Sequence, residues 1–231
     1  MLEALRSEVL EANLELVRRG LVIYTFGNAS GVSREHGLVV IKPSGVPYEK
    51  MTSADMVVTD LDGRIVEGSL KPSTDLATHI ALYRAFPSIG GVAHTHSRHA
   101  TAWAQARRPI PCFGTTHADY FHGAVPVTEA LTPAEIEGDY EANTGGAILR
   151  LLEGRDPLGC PGALVAGHAP FCWGKTVTEA AHNAVIVEEL AAMAWQTLTI
   201  NPQATPISEA LHNKHYFRKH GPKATYGQKS R

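Results

Sequence analysis

His94-Thr95-His96 carries the sharpest chemical signal in the chain, because two imidazoles lie two residues apart inside an apolar run. If that run is a strand, alternate side chains project to one face, and both rings can reach a single point. A Zn²⁺ ion takes imidazole nitrogens at about 2.0–2.1 Å. His168, in Val165-Ala166-Gly167-His168-Ala169-Pro170, is the third candidate ligand, and Asp75 is the fourth. Three imidazoles with an open position make a catalytic type of zinc site, whereas structural sites are closed and cysteine-rich. The plainer readings are two core histidines bonded to backbone groups, and an Asp75 that simply complements a helix N-terminus. Spacing alone does not bring His168 to the other two. His79, His99 and His182 fall in helical patterns and read as packing or surface residues, while His117 adjoins Asp119 in a loop.

Two further segments are suited to an oxyanion. Gly27-Asn28-Ala29-Ser30-Gly31 and Lys42-Pro43-Ser44-Gly45 each follow a strand-like run and combine small residues with amide, hydroxyl or ammonium donors. Glycine lets backbone N–H groups approach a phosphate closely. Ser73-Thr74 opens a helical pattern, where free N–H groups favour anions. Neither a P-loop nor a Gly-x-Gly-x-x-Gly fingerprint is present, so no nucleotide is indicated.

Composition excludes several classes. The chain has 231 residues with a formal charge of -2, which gives no nucleic-acid footprint, although basic residues gather near the end. Glu3, Arg6, Glu8 and Glu11 leave no apolar run for a signal peptide, and no stretch is long enough to span a bilayer. Cys112, Cys160 and Cys172 are odd in number and widely spaced, which fits a reducing, cytoplasmic setting without a disulfide framework. Twelve histidines are many for this length and draw the chemistry toward metal binding.

The elements that must position these residues are interleaved. Leu2, Leu5, Val9, Ala12, Leu16 and Val17 predict an opening helix that Gly20 ends. Leu21–Phe26 and Leu38–Ile41 read as strands separated by the polar, Gly-rich segment 27–37, and Asp62-Gly63 turns a hairpin between Met56–Asp60 and Arg64–Glu67. Leu76, Ile80, Tyr83 and Phe86 form a helical stripe capped by Ser73 or Thr74 and stopped at Pro87. Ile89–His96 reads as a buried strand, followed by helices near 97–106, 133–153, 178–195 and 207–219, with a strand pair at 163–166 and 171–173. No linker or repeat divides the chain. The expectation is one α/β domain with a mixed sheet.

The runs Gly27-Asn28-Ala29-Ser30, Ile41-Lys42-Pro43-Ser44-Gly45, Lys71-Pro72-Ser73-Thr74-Asp75, His94-Thr95-His96-Ser97 and Gly174-Lys175, in that order, resemble the class II aldolase/epimerase family. Pro87-Ser88-Ile89-Gly90-Gly91, Thr115-Thr116-His117-Ala118-Asp119-Tyr120-Phe121, the stretch from Lys214 to Gly221, and Tyr226-Gly227-Gln228 are similar to its epimerase branch. The resemblance spans Leu2 to Gln228. It departs at Phe26 and Ala29, where that branch has Trp and Val, in 153–161, and in the added Lys229-Ser230-Arg231.

This resemblance implies a fold, a site and an activity. The fold would be a three-layer α/β/α single domain over 1–231, with a mixed, largely antiparallel central sheet and a tail from about 221 completing a neighbouring subunit's site. His94, His96 and His168 would bind Zn²⁺ (or Mn²⁺ or Co²⁺), with Asp75 as the acidic residue at the metal. Asp119 and Tyr226 would be the acid/base pair. Gly27, Asn28, Ser44, Gly45, Ser73 and Thr74 would hold a sugar phosphate, supported by Lys42, with His215 near the cleft. The activity would be an isomerase inverting C4 of L-ribulose 5-phosphate to D-xylulose 5-phosphate by retro-aldol cleavage. The partner would be the chain itself, as a cytoplasmic homotetramer, and the setting carbohydrate metabolism fed by L-arabinose or ascorbate-type sugars. The rival readings are a fuculose-1-phosphate type of aldolase on the same scaffold, and a non-catalytic zinc-stabilised interaction domain.

Overall fold

The hairpin at Asp62-Gly63 forms as expected, and the apolar run before it joins the same sheet. In the computed structural model, which describes residues 2–220, 224 and 225, Leu38–Ile41 (β2) lies antiparallel to Val57–Asp60 (β3), and β3 turns at Asp62-Gly63 into Ile65–Glu67 (β4). The partner on the other edge of β2 is unexpected. Asn28–Ser33 (β1), a small and polar run, is the strand, while 21–26 makes turns and holds Tyr24 at φ 55°. Close packing explains the choice. A Cβ on Gly31 would stand 2.8 Å from Leu5 Cδ1, so the glycine lets the opening helix, Glu3–Arg18 (α1), lie on the strand without displacing that side chain. Val9, Ala12 and Leu16 of α1 are buried, and their burial is the main term holding the helix down.

Beyond β1, the sheet continues through Gly91–His94 (β5) and Pro170–Gly174 (β7) to Gly162–Leu164 (β6), in the order β4-β3-β2-β1-β5-β7-β6. All its strand pairs are antiparallel, so the largely antiparallel expectation holds; the parallel component among the described residues is one isolated bridge, Val127↔Leu164. Helices cover both faces. The long Val177–Ile200 (α7) packs on β5 and β7 beside α1, and Arg98–Gln105 (α3) rests on it. A Cβ on Gly91 would meet Val177 Cα at 2.3 Å, which explains the glycine. On the opposite face, Ser30 of β1 bonds His79 and Tyr83 of Leu76–Ala85 (α2) at 2.7 Å each.

Three other expectations are corrected. The helix anticipated over 133–153 is broken into Pro133–Glu137 (α5) and Tyr140–Leu151 (α6), because Gly138 ends one and the Asp139 side chain caps the next by accepting from Ala142 N–H at 3.1 Å. The N-cap of α2 is Asp75, not Ser73 or Thr74. The segment around His117 is a short helix, Thr115–Ala118 (α4), and the last helix is Glu209–His220 (α8). Trp173 on β7, one strand in from the sheet edge, is fully buried and donates to Pro157 O at 2.7 Å; truncation there costs about 3–5 kcal/mol. Among the described residues no helix is long and apolar enough to cross a membrane.

Candidate metal centre and substrate cleft

His94 is the last residue of β5, paired with Phe171 of β7, whose ring stacks on the imidazole at 4.1 Å and 18°. His168 comes from the turn between β6 and β7, closed by Val165 N–H to Ala169 O at 3.0 Å, with Gly167 at φ 74°. The β5–β7 pairing therefore delivers two imidazoles that sequence spacing leaves 74 residues apart. His96 does not sit on the strand, because β5 stops at His94 and Thr95–Ser97 is an extended link to α3. The three rings still converge. Centroids are 4.9 to 5.0 Å apart, His94 Nε2 and His96 Nε2 are separated by 3.1 Å, and one ligand atom from each histidine lies within 4.8 Å of the others.

The donor set suits a divalent ion. His94 Nδ1 bonds Pro170 O at 2.9 Å, which makes Nδ1 the N–H donor and turns a bare Nε2 toward the cluster. Burial holds His94 far below the usual imidazole pKa, at about 3, and burial also lowers His96 and His168. All three are then neutral near pH 7, as metal ligands must be. His94 is buried, His168 half-buried and His96 exposed, so the cluster is walled by the sheet and open on one side.

The anion-type segments meet beside it. Gly27, at φ 82°, brings its Cα so near that an added Cβ would stand 2.9 Å from His94 O. Asn28, opposite His94 in the β1–β5 pairing, donates from Nδ2 to Ser73 Oγ at 2.9 Å and to Asp75 Oδ2 at 2.6 Å. Its Oδ1 is buried without a partner. The Lys42–Gly45 and Lys71–Thr74 segments are joined by a Pro43↔Pro72 bridge, with Ser44 N–H to Lys71 O and Ser73 N–H to Lys42 O, both 2.9 Å. Lys42 is buried, with Nζ near Pro43 O at 3.2 Å and over the Tyr48 ring at 4.8 Å. Burial lowers its pKa, and Asp75 partly restores it. Ser44, Gly45 and Thr74 are exposed at the rim.

Asp75 makes no cap bond although it occupies the N-cap of α2; its carboxylate faces Asn28 instead. Burial pushes its pKa up, but the field of His94 and His79 and the Asn28 bond outweigh that, and it stays ionised. It lies outside the set of ligand atoms that fall within 4.8 Å of one another.

Asp119 and His215 are brought together elsewhere, where α8 docks on α4. Asp119 accepts from His215 Nδ1 at 3.1 Å and from Arg218 at 3.0 and 3.2 Å, with Lys219 Nζ at 3.6 Å. Burial would raise the Asp119 pKa, yet the Arg218 and His215 bonds and the Lys219 charge hold it below the ordinary value. Tyr226 lies outside the described residues. Tyr140, at the start of α6, is a site residue that the sequence does not reveal: its hydroxyl is 3.4 Å from His168 Nδ1. Its only sequence signal is a position just after the Gly138-Asp139 break.

A three-imidazole cluster at the end of an antiparallel sheet, beside the hydrogen-bonded Asn28, Ser73 and Asp75, defines an α/β protein with a candidate mononuclear metal centre. The chain belongs to the Class II Aldolase and Adducin N-terminal domain family, whose model matches residues 7–195. It is 57% identical over 228 residues to L-ribulose-5-phosphate 4-epimerase UlaF of Salmonella paratyphi C (strain RKS4594), a match covering 99% of this chain and 100% of that protein. The same identity and coverage hold for the UlaF protein of Salmonella typhi. Among solved structures, an L-fuculose 1-phosphate aldolase superposes with a TM-score of 0.77 at 25% identity, covering 92% of this chain and 94% of that one.

Proposed function

We propose that this protein is a metal-dependent L-ribulose-5-phosphate 4-epimerase, an isomerase interconverting that sugar phosphate with D-xylulose 5-phosphate. The observation that carries this reading is the convergence of three neutral imidazoles beside the Asn28–Ser73–Asp75 cluster, in a chain similar to an epimerase along its full length. His94, His96 and His168 would hold the metal, which we take to be Zn²⁺, with Asp75 facing it. When bound, the ion supplies Lewis acidity to paired substrate oxygens.

The substrate dictates the route. C4 is not adjacent to the ketone, so its hydrogen is not acidic, and the C3–C4 bond is broken instead. A base removes the C4 hydroxyl proton, and the bond electrons move onto the three-carbon fragment as its enediolate. Glycolaldehyde phosphate is left, turns its other face, and is attacked again by C3. An acid on the opposite side protonates the new C4 oxygen, so two acid/base groups are needed. We assign these to Asp119 and Tyr226. Asn28, Ser44, Gly45, Ser73 and Thr74, with Gly27 and Lys42, would anchor the phosphate and retain the aldehyde while it rotates.

In this reading, residues 1–231 form one domain that assembles as a cytoplasmic homotetramer. The tail from about 221, together with His215, serves a site at a subunit interface. The experiment is turnover of L-ribulose 5-phosphate by metal-analysed protein, before and after chelation, with xylulose 5-phosphate detected. Activity lost to the chelator and restored by Zn²⁺ is expected. Bound metal without epimerisation, together with cleavage of L-fuculose 1-phosphate, would transfer the protein to the aldolase branch.

A further inference from the structure

The position of His96 needs a cause that the sheet does not supply. β5 ends at His94, and His96 hangs on a three-residue link that becomes helix at Arg98. The first N–H groups of a helix have no partners within it, and the local candidate cap, Ser97, makes no side-chain cap bond. A carboxylate from a distant helix takes that place. Glu188, on α7, accepts at Oε1 from His99 N–H at 2.9 Å and lies 2.8 Å from His99 Nδ1, while Oε2 accepts from Ala100 N–H at 2.9 Å and His99 N–H at 3.1 Å.

The cap is charged. Burial would raise the Glu188 pKa, but the bonds from Ala100 and His99 outweigh burial, so it stays an anion at the positive end of α3. Further along α3, Trp103 donates from Nε1 to Ala191 O at 3.0 Å. The helix is thus fastened to α7 at two points, and the one nearest the metal cluster is Glu188.

We propose that Glu188 is a positioning residue for the metal centre: by capping α3 from α7 it fixes the link that carries His96 and sets the geometry of the three-imidazole site. The proposal rests on the reading of His94, His96 and His168 as metal ligands. It gives α7, which supplies no ligand, a part in metal affinity.

Co²⁺ is the probe, read by its visible ligand-field absorption and by competition with a chelator at a temperature well below unfolding. Glu188→Ala should lower Co²⁺ affinity about tenfold or more, in the range of lost outer-shell support, and shift the absorption bands. Glu188→Gln, which keeps an acceptor oxygen, should lose less. Unchanged affinity and spectrum in a folded Glu188→Ala protein, even one with a lowered melting temperature, would overturn the proposal. A second arm needs no variant. Coupling is reciprocal, so Zn²⁺ added to the wild-type protein should slow amide hydrogen exchange at His99 and Ala100. Exchange there that ignores Zn²⁺ would equally overturn it. If the wild-type protein takes up no Co²⁺ at all, the ligand assignment itself fails first.

Discussion

The metal-side cluster and the Asp119 cluster are built on opposite physical plans. Around His94, the polar groups are sunk in the sheet, and burial keeps the imidazoles neutral. The places of His94, His168 and Asn28 are set by β1–β5–β7 pairing and two joined loops, while the exposed His96 stands beyond the end of β5 on the link to α3. Around Asp119, a carboxylate is held by His215, Arg218 and Lys219 from a single docked helix. Backbone pairing is strong and directional, so the first cluster is preorganised. The second is an electrostatic clasp made by side chains of one helix. Metal binding should therefore tolerate changes at α8, while proton transfer should not.

The largest effect that breaks the comparison is loss of a ligand. His168→Ala should reduce metal affinity by more than about 100-fold, exceeding the loss of outer-shell support, and abolish epimerisation; normal metal content after dialysis would remove His168 from the ligand set. Asp119→Asn should lower turnover by about 10²–10⁴-fold with bound metal unchanged, so that normal turnover would sink its acid/base role. Acid acts alike on both regions. His79 and His117 are buried, and burial holds their pKa values at about 4 against an ordinary 6.5. Between those values the unfolded chain binds more protons, so stability is complete above about pH 6.5 and falls as pH drops toward 4. Each contributes about 3 kcal/mol across that window. A denaturant midpoint constant from pH 7 to 4 would contradict this.

Smaller changes sharpen the picture. Tyr140→Phe removes the hydroxyl beside His168 Nδ1 and should weaken metal binding about tenfold, measurable by chelator competition. Arg218→Ala removes a leading cause of the lowered Asp119 pKa; the acidic limb of the pH–rate profile should move upward, with metal affinity unaffected. An acidic limb that stays in place would mean that Asp119 does not govern it.

Much of the fold is legible locally. The Asp62-Gly63 hairpin, the stripe of α2 and the apolar run of β5 are periodic and punctuated by turn residues, and all three appear. β1 is not legible, because Asn28–Ser33 is selected by the closeness of α1 and by its pairing partners rather than by hydrophobicity. The break at Gly138-Asp139 escapes a reading by periodicity, because it rests on one side chain, Asp139, accepting from Ala142 N–H. His94 and His96 do converge, but the strand ends at His94 and His96 stands beyond it.

The sequence by itself determined the candidate ligand types, the small residues that let loops approach one another, and the family to which these runs belong. These are chemical identities, and they are written residue by residue. Only the tertiary structure decided that His168 turns back beside His94, that Asn28 joins Ser73 to Asp75, and that a carboxylate on α7 caps the helix after His96. Each of those contacts closes a long loop of chain. Its geometry is fixed by sheet register and by helix packing on the sheet, which no local spacing encodes.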